Sequence, residues 1–364
     1  MTKQELYDQI IWDVARIVKH RINECCGTSR KSVNEDFVDY ADDDDIVREY
    51  DFIKDGVVTA LTNIMNETPS LYDIDPWKYV ERYNSIYRPK DTIELRNLIA
   101  LAIEKLGYKC SLNWIDVSYI SNFNSLFFQF KFNGDISRWN TSRATDMSYM
   151  FYQSKFNGDI SSWNVSRVKD MSGMFYESKF NKPIGEWDVR NVEQMQVMFC
   201  ECKFNQDISR WNVSKVKDMS RMFCENPAFD QDISSWNVSN VEYMSAMFKH
   251  TKFNQDISRW NVSKVLDMSE MFFANTSFNQ DLSSWNVSKV TTMREMFSYA
   301  NFNADISRWD ISSVYDFRDM FYSSEFCRDL SSWSFKMRPE ASTKDMFYLS
   351  KVPRAYRAKH LKRK

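Results

Sequence analysis

Residues 132–155 read FNGDISRWNTSRATDMSYMFYQSK, and residues 156–179 read FNGDISSWNVSRVKDMSGMFYESK. Further versions follow almost to the end of the chain. Their beat is kept by Trp139, Trp163, Trp187, Trp211, Trp236, Trp260, Trp285, Trp309 and Trp333. The step is about 24 residues throughout, and a fixed period of that length marks a stack of repeats. A unit so short cannot bury its own apolar face, so each buries it against the next. Working outward, Ile115 stands one such step before Trp139 and opens a disguised first unit. The last unit, Trp333 to Phe347, is degenerate and carries Pro339.

Counted from the leading Phe as zero, apolar residues recur at offsets 0, 4, 7, 9, 12, 15, 18 and 19. In the second unit these are Phe156, Ile160, Trp163, Val165, Val168, Met171, Met174 and Phe175. Offsets 7 and 9 have strand spacing, and 12, 15, 18 and 19 have helical spacing. The pattern predicts a strand over 159–165 and a short helix over 169–176 in each unit. The expected fold is therefore an α/β repeat solenoid. It is a leucine-rich-repeat-like stack of about ten strand-plus-short-helix coils, with Trp, Met and Phe in place of leucine, capped by an N-terminal helical domain.

Residues 1–109 carry no repeat and read as that domain. Ile10, Ile11, Val14, Ile17 and Val18 fall at helical spacing. Thr92 to Leu106 is a second helix, with Asp91 as cap, Glu94 three residues on and Gly107 at its end. Residues 51–66 and 77–83 suggest two more. The repeats occupy 110–347, and 348–364 form a basic tail, with seven Lys and Arg between Lys351 and Lys364. The chain of 364 residues has a net charge of −2, which disfavours a general polyanion binder. Seven scattered cysteines form no disulfide framework and suit a reducing compartment. No apolar run is long enough to span a bilayer. The N-terminal stretch has acidic residues within it, unlike a signal peptide.

The motif F-N-x-D-I-S-x-W-N-V-S-x-V-x-D-M-S-x-M-F resembles the BspA-like repeat family over roughly residues 110–347. That family is found in surface proteins of bacteria and mollicutes, in large DNA viruses and in protists. The resemblance implies a leucine-rich-repeat-like fold and a binding or structural role, with no enzymatic activity. The chain departs from secreted members in showing no signal peptide and no lipid-attachment cysteine. A large-DNA-virus origin and a cytoplasmic or virion location fit that departure.

Stacking turns a repeated residue into a ladder. Asparagine at offset 1 (Asn133, Asn157, Asn181, Asn205, Asn254) and at offset 8 (Asn140, Asn164, Asn212) can bond along the stack or to turn backbone. Asn164-Val165-Ser166 and its copies also match a glycosylation acceptor. Asp135, Asp159, Asp207 and their equivalents at offset 3 read as caps of local amides, with a cation-binding edge as the alternative. Offset 6 is expected to be exposed and alternates: Arg138, Ser162, Glu186, Arg210, Ser235, Arg259, Ser284, Arg308, Ser332. Alternation relieves like-charge repulsion on a solvated face. Read functionally, Arg138, Arg210, Arg259 and Arg308, with Glu186 in the most deviant unit, form a candidate face for a protein partner. Offset 11 adds Arg143, Arg167, Lys215, Lys264 and Lys289, with Asp146, Asp170, Asp218 and Asp267 three residues on to neutralise them. Cys200 and Cys224 share an offset in adjacent units and read as apolar packing, or as a disulfide pair. A zinc site with Cys202 lacks a fourth ligand.

Enzyme motifs are missing: His20, His250 and His360 lie in unrelated regions, with no phosphate loop, H-E-x-x-H or G-x-S-x-G. The expectation is a non-enzymatic interaction or structural protein without cofactor or metal. The alternatives are an adhesin exported without a classical signal, and nucleic-acid or anionic-surface binding through Lys351–Lys364.

Overall fold

The structure, a computed structural model, describes residues 87–358. The helices expected at 10–18, 51–66 and 77–83 lie outside the described residues. The chain divides into two compact units, Met1–Tyr83 and Asn84–Lys364. In the second, one α-helix, α1 (Thr92–Leu106), precedes the repeats.

α1 forms as its caps dictate. Asp91 Oδ1 accepts the Glu94 amide at 2.8 Å, and Gly107, at φ 85°, donates its amide to the Ile103 carbonyl. Leu95, Leu98, Ile99 and Ala102 are its buried face. Thr92 Oγ1 donates to the Asn122 carbonyl (2.8 Å) and Arg96 Nη1 to the Ser125 carbonyl (2.7 Å). The helix thus lies over the first repeat in the same compact unit.

Ten coils follow, linked in sequence by nine parallel bridges: Asn122, Asp146, Asp170, Gln194, Asp218, Tyr243, Asp267, Thr292, Asp316 and Ser342 each pair with the next. The expected strand at 159–165 and helix at 169–176 are both absent. The bridge sits at Asp170, offset 14, and the segment after it is a run of tight turns. Its amides alternate. Those of Met171, Gly173, Phe175 and Glu177 donate forward to the carbonyls of Gln194, Gln196, Met198 and Cys200 in the next coil. Those of Met174, Tyr176 and Ser178 donate back three residues, to Met171, Gly173 and Phe175. A helix would consume all of these groups internally and leave nothing to join one coil to the next, so the neighbouring coil overrides the local spacing.

Two residues per coil take positive φ to make these turns, at offsets 17 and 21. They include Tyr149 and Gln153 (54° and 53°), Ala246 and His250 (51° and 53°), and Glu270 and Ala274 (56° and 51°). Turns of this kind favour glycine, yet only Gly173 (φ 57°) supplies it among these positions. There a Cβ would come within 2.4 Å of the Tyr149 ring.

Asx turns shape the rest of the coil. Offsets 3, 8 and 14 carry Asp or Asn in most coils, and each side chain accepts the amide two residues on. In one coil these are Asp159 to Ser161 (2.9 Å), Asn164 to Ser166 (3.0 Å) and Asp170 to Ser172 (2.8 Å). The offset-1 asparagines act between coils. Asn133 Oδ1 accepts the Asn157 amide, Asn157 that of Asn181, and Asn181 that of Asn205, at 2.8–3.0 Å.

The core is three aromatic columns. Offset-19 rings stack at 5.6–5.8 Å from Phe151 through Phe175 and Phe199 to Phe223. Offset-0 rings follow one another at 6.3 Å from Phe156 to Phe180 and Phe204. The indoles of Trp139 and Trp163 lie 6.2 Å apart and 6° from parallel. Each indole N–H from Trp139 to Trp309 donates to the preceding coil's offset-4 carbonyl, as Trp163 does to Ile136 at 3.1 Å. In the last coil this lapses: Trp333 lies in a 3₁₀ turn (Ser331–Phe335), and its buried indole nitrogen has no acceptor.

Two units, those starting at Phe204 and Phe253, are each one residue longer than the unit before. Both carry asparagine at offset 22, where the other units from Phe132 to Phe302 have Ser, Thr, Cys or Ala. Asn226 and Asn275 are fully buried and donate to the Phe204 and Phe253 carbonyls at 3.0 and 3.1 Å, while each accepts the amide of the longer turn, Ala228 or Ser277.

The left-handed residues carry a measurable strain. Ala274→Gly is expected to raise stability by about 0.5–1 kcal/mol, against the usual cost of glycine. Urea unfolding followed by tryptophan fluorescence measures it, and a loss of stability would show that position 274 holds no such strain.

Candidate interaction face

Stacking aligns the offset-6 residues along one flank. Arg138, Ser162, Glu186, Arg210, Ser235, Arg259, Ser284, Arg308 and Ser332 are all exposed. The two residue types do different things. Ser162, Ser235, Ser284 and Ser332 each donate to the backbone carbonyl of Ser137, Ser209, Ser258 and Ser307 in the preceding coil, at 2.8–3.2 Å. These hydroxyls belong to the stack. The arginines between them extend into solvent. Arg210 Nη1 meets Glu186 Oε1 at 2.9 Å, with both side chains more than 70% exposed, a pairing that water screens strongly. Arg138, Arg259 and Arg308 have no ion-pair partner among the described residues.

The offset-11 cations are not neutralised as expected. Lys215 Nζ and Lys264 Nζ reach Asn191 and Asn240 of the coils before them, both at 2.6 Å. Asp170, Asp218 and Asp267 instead hold the amides of Ser172, Ser220 and Ser269. A carboxylate committed to a turn amide is not aimed at a side chain three residues away.

The offset-3 aspartates are turn caps along the whole row. Asp135, Asp159, Asp207, Asp232, Asp256 and Asp305 each accept the amide of the serine two residues on, at 2.9–3.0 Å. That amide, with the serine hydroxyl, holds all six carboxyls below the usual aspartate range. At Asp232 the hydroxyl contributes most, and the carboxylates of Asp207 and Asp256 push the other way without reversing the shift. Among the described residues no group of three or more His, Cys, Asp or Glu is arranged to hold a metal.

Near the C-terminal end the flank opens into a shallow depression of about 460 Å³, lined among others by Asp281, Asn303, Ala304, Asp305, Arg308 and Arg328. Offset 2 is glutamine in the four preceding coils, and Gln280 reaches back to Asn254 at 2.9 Å. Ala304 truncates that contact, and Arg328 takes the offset in the next coil, its Nε donating to the Asn303 carbonyl (2.8 Å). Arg308 is thereby joined by a second cation. The signal for Arg328 lay in the sequence, as a break in the glutamine row.

Cys200 and Cys224 are both buried and free. A hydrogen bond to Cys224, then burial, pushes the Cys200 thiol up. Cys202 Sγ donates to the Phe199 carbonyl at 3.0 Å, and burial pushes its thiol up to about 12. His250 lies by Glu225 (3.6 Å) and the Phe273 ring. Part of the basic tail is docked: Val352 is buried, the Tyr356 carbonyl accepts the Leu330 amide, and Lys351 pairs with Glu325. No helix among the described residues is long and apolar enough to cross a membrane.

The architecture is that of a tandem repeat protein whose turn-forming Asp and Asn side chains bond within and between its coils. A family described as "Mycoplasma protein of unknown function, DUF285" matches residues 102–204, 177–265 and 249–356, and the chain belongs to that family. No curated protein and no solved structure matches it significantly.

The aspartate row sets a pH dependence. Each folded-state value is depressed, so the stability it contributes is complete above the unfolded value of about 3.9 and is lost as pH falls through the folded one. The urea midpoint is expected to stay level from about pH 7 to 5 and to fall below about pH 4. A midpoint unchanged at about pH 3 would show that the turn-capping carboxylates do not matter to the fold.

Proposed function

We propose that the chain is a non-enzymatic interaction or structural protein that presents the flank of its coil stack to a protein partner. One observation carries this reading. Along the offset-6 row, serine hydroxyls are bound into the stack, while Arg138, Arg259 and Arg308 remain exposed and without an ion-pair partner among the described residues. Such a row suits an acidic protein surface met at several weak contacts, whose free energies add when one rigid body carries them all. The carboxylates of the offset-3 row are alike in most coils and are held by their own turns, which supports a role without chemistry.

In its finer form the reading follows the BspA-like resemblance: a leucine-rich-repeat-like binding scaffold, a structural or adaptor component of a large-DNA-virus particle or of infected cytoplasm. The five described cysteines, all free, support a reducing location.

The test compares the full chain with the triple variant Arg138→Ala, Arg259→Ala, Arg308→Ala in affinity capture with quantitative mass spectrometry. Capture of the partner is expected to drop at least about tenfold at an unchanged melting temperature. Equal capture by both chains would remove the arginine row from the function. Loss only on deletion of residues 359–364 would move it to the basic tail.

A further inference from the structure

Along one run of each coil the backbone hydrogen bonds to the neighbouring coil have a direction. At offsets 15, 17, 19 and 21 the amides point toward the C-terminal end and find carbonyls in the following coil. In the ninth coil, Phe317, Asp319, Phe321 and Ser323 donate to Ser342, Lys344, Met346 and Tyr348. No coil follows the tenth among the described residues. Its corresponding amides, those of Thr343, Asp345, Phe347 and Leu349, have no acceptor among the described residues.

The two ends of the stack are finished differently. At the first coil the outward groups are carbonyls, and α1 lies over that end, Thr92 donating to the outward Asn122 carbonyl and Arg96 to the Ser125 carbonyl, which also accepts the Phe128 amide. At the last coil the segment 351–357 closes only part of the face. Arg357 lies over the Phe347 ring, but that ring is half-buried where the earlier rings of its column are fully buried. Phe335 (81% exposed), Tyr348 (53%) and Leu349 (66%) belong to the same terminal segment. Between residues 336 and 357 there are six cations, Lys336, Arg338, Lys344, Lys351, Arg354 and Arg357, against Glu340 and Asp345.

We propose that this end is a docking edge for an acidic segment of another protein, which takes the turn conformation of the coils and adds one more rung to the stack. The partner's backbone carbonyls take the four amides, its apolar side chains cover Phe347 and Leu349, and its carboxylates meet Lys344 and Arg354. The carbonyls of Thr343, Asp345 and Phe347 are taken within their own turns, so the row is of amides alone, and it is matched by a segment whose carbonyls all face one edge, as those of every earlier coil do. A second copy does not fit in either orientation. Its carbonyl end is occupied by α1, and its amide end brings donor against donor. This edge is separate from the arginine flank and does not rest on it.

The probe is an acetylated octapeptide alternating valine and aspartate, added to the full chain, with amide exchange of residues 342–350 followed by mass spectrometry. Exchange there is expected to be fast in the free chain, faster than in the paired residues 317–323, and to slow on adding the peptide. A peptide with lysine in place of aspartate gives no slowing. Thr343→Pro, which removes an amide that has no bond to lose, is expected to weaken binding about fivefold. Lys344→Glu with Arg354→Glu is expected to weaken it at least about tenfold. Four results would each overturn the proposal. The amides could be protected already in the free chain until residues 359–364 are deleted, which would identify the chain's own tail. Protection could rise with protein concentration, which would identify a second copy. The acidic peptide could give no slowing up to about 1 mM, or both variants could bind as well as the parent.

Discussion

The whole repeat region depends on one division of labour among backbone amides: in each coil, alternate N–H groups bond within the turn and to the next coil. So short a unit has too few internal bonds to hold itself and too little apolar volume to bury. Sharing its amides with its neighbour solves both, because the geometry that passes hydrogen bonds along the stack also lays ring on ring. The Phe column at offset 19, the Phe column at offset 0 and the Trp column are consequences of that alignment. The indole N–H shows how closely the two are tied: it is buried in the aromatic core and still reaches a carbonyl in the coil before.

The same arrangement explains the composition. A coil that turns repeatedly in so few residues needs acceptors close to its own amides, and short Asp and Asn side chains supply them. The carboxylates of the acidic row at offset 3 are part of the backbone's hydrogen bonding. Serine follows these residues because its amide is the one captured.

Much of this was legible in the residues. The period, the tryptophan column, both caps of α1, the asparagine ladder and the aspartate caps all follow from side-chain chemistry at fixed spacing. The secondary structure inside the coil did not. Apolar residues at offsets 15, 18 and 19 have the step of a helix, but a turn closed between residues i and i+3 has nearly the same step, so periodicity cannot separate the two. Glycine would have revealed the turns, but the left-handed positions are filled by residues such as Tyr149, Glu201, His250 and Glu270. These are held there by inter-coil bonds that local sequence does not display. The offset-11 cations misled for a related reason: their sequence neighbours at i+3 were already bound, and their true partners lay a whole coil away.

The buried asparagines at 226 and 275 carry a separate implication. Before the degenerate last coil, the chain lengthens its repeat at offset 22, and a side-chain amide there stands in for the backbone groups that the extra residue displaces. The aromatic columns on either side continue undisturbed, Phe223 to Phe248 at 6.0 Å and Phe253 to Phe278 at 6.2 Å. Long and short modules are therefore mechanically interchangeable. Genetic duplication or deletion of whole modules can lengthen or shorten such a molecule without refitting its interior, and one amide-bearing side chain is enough to absorb an error of one codon.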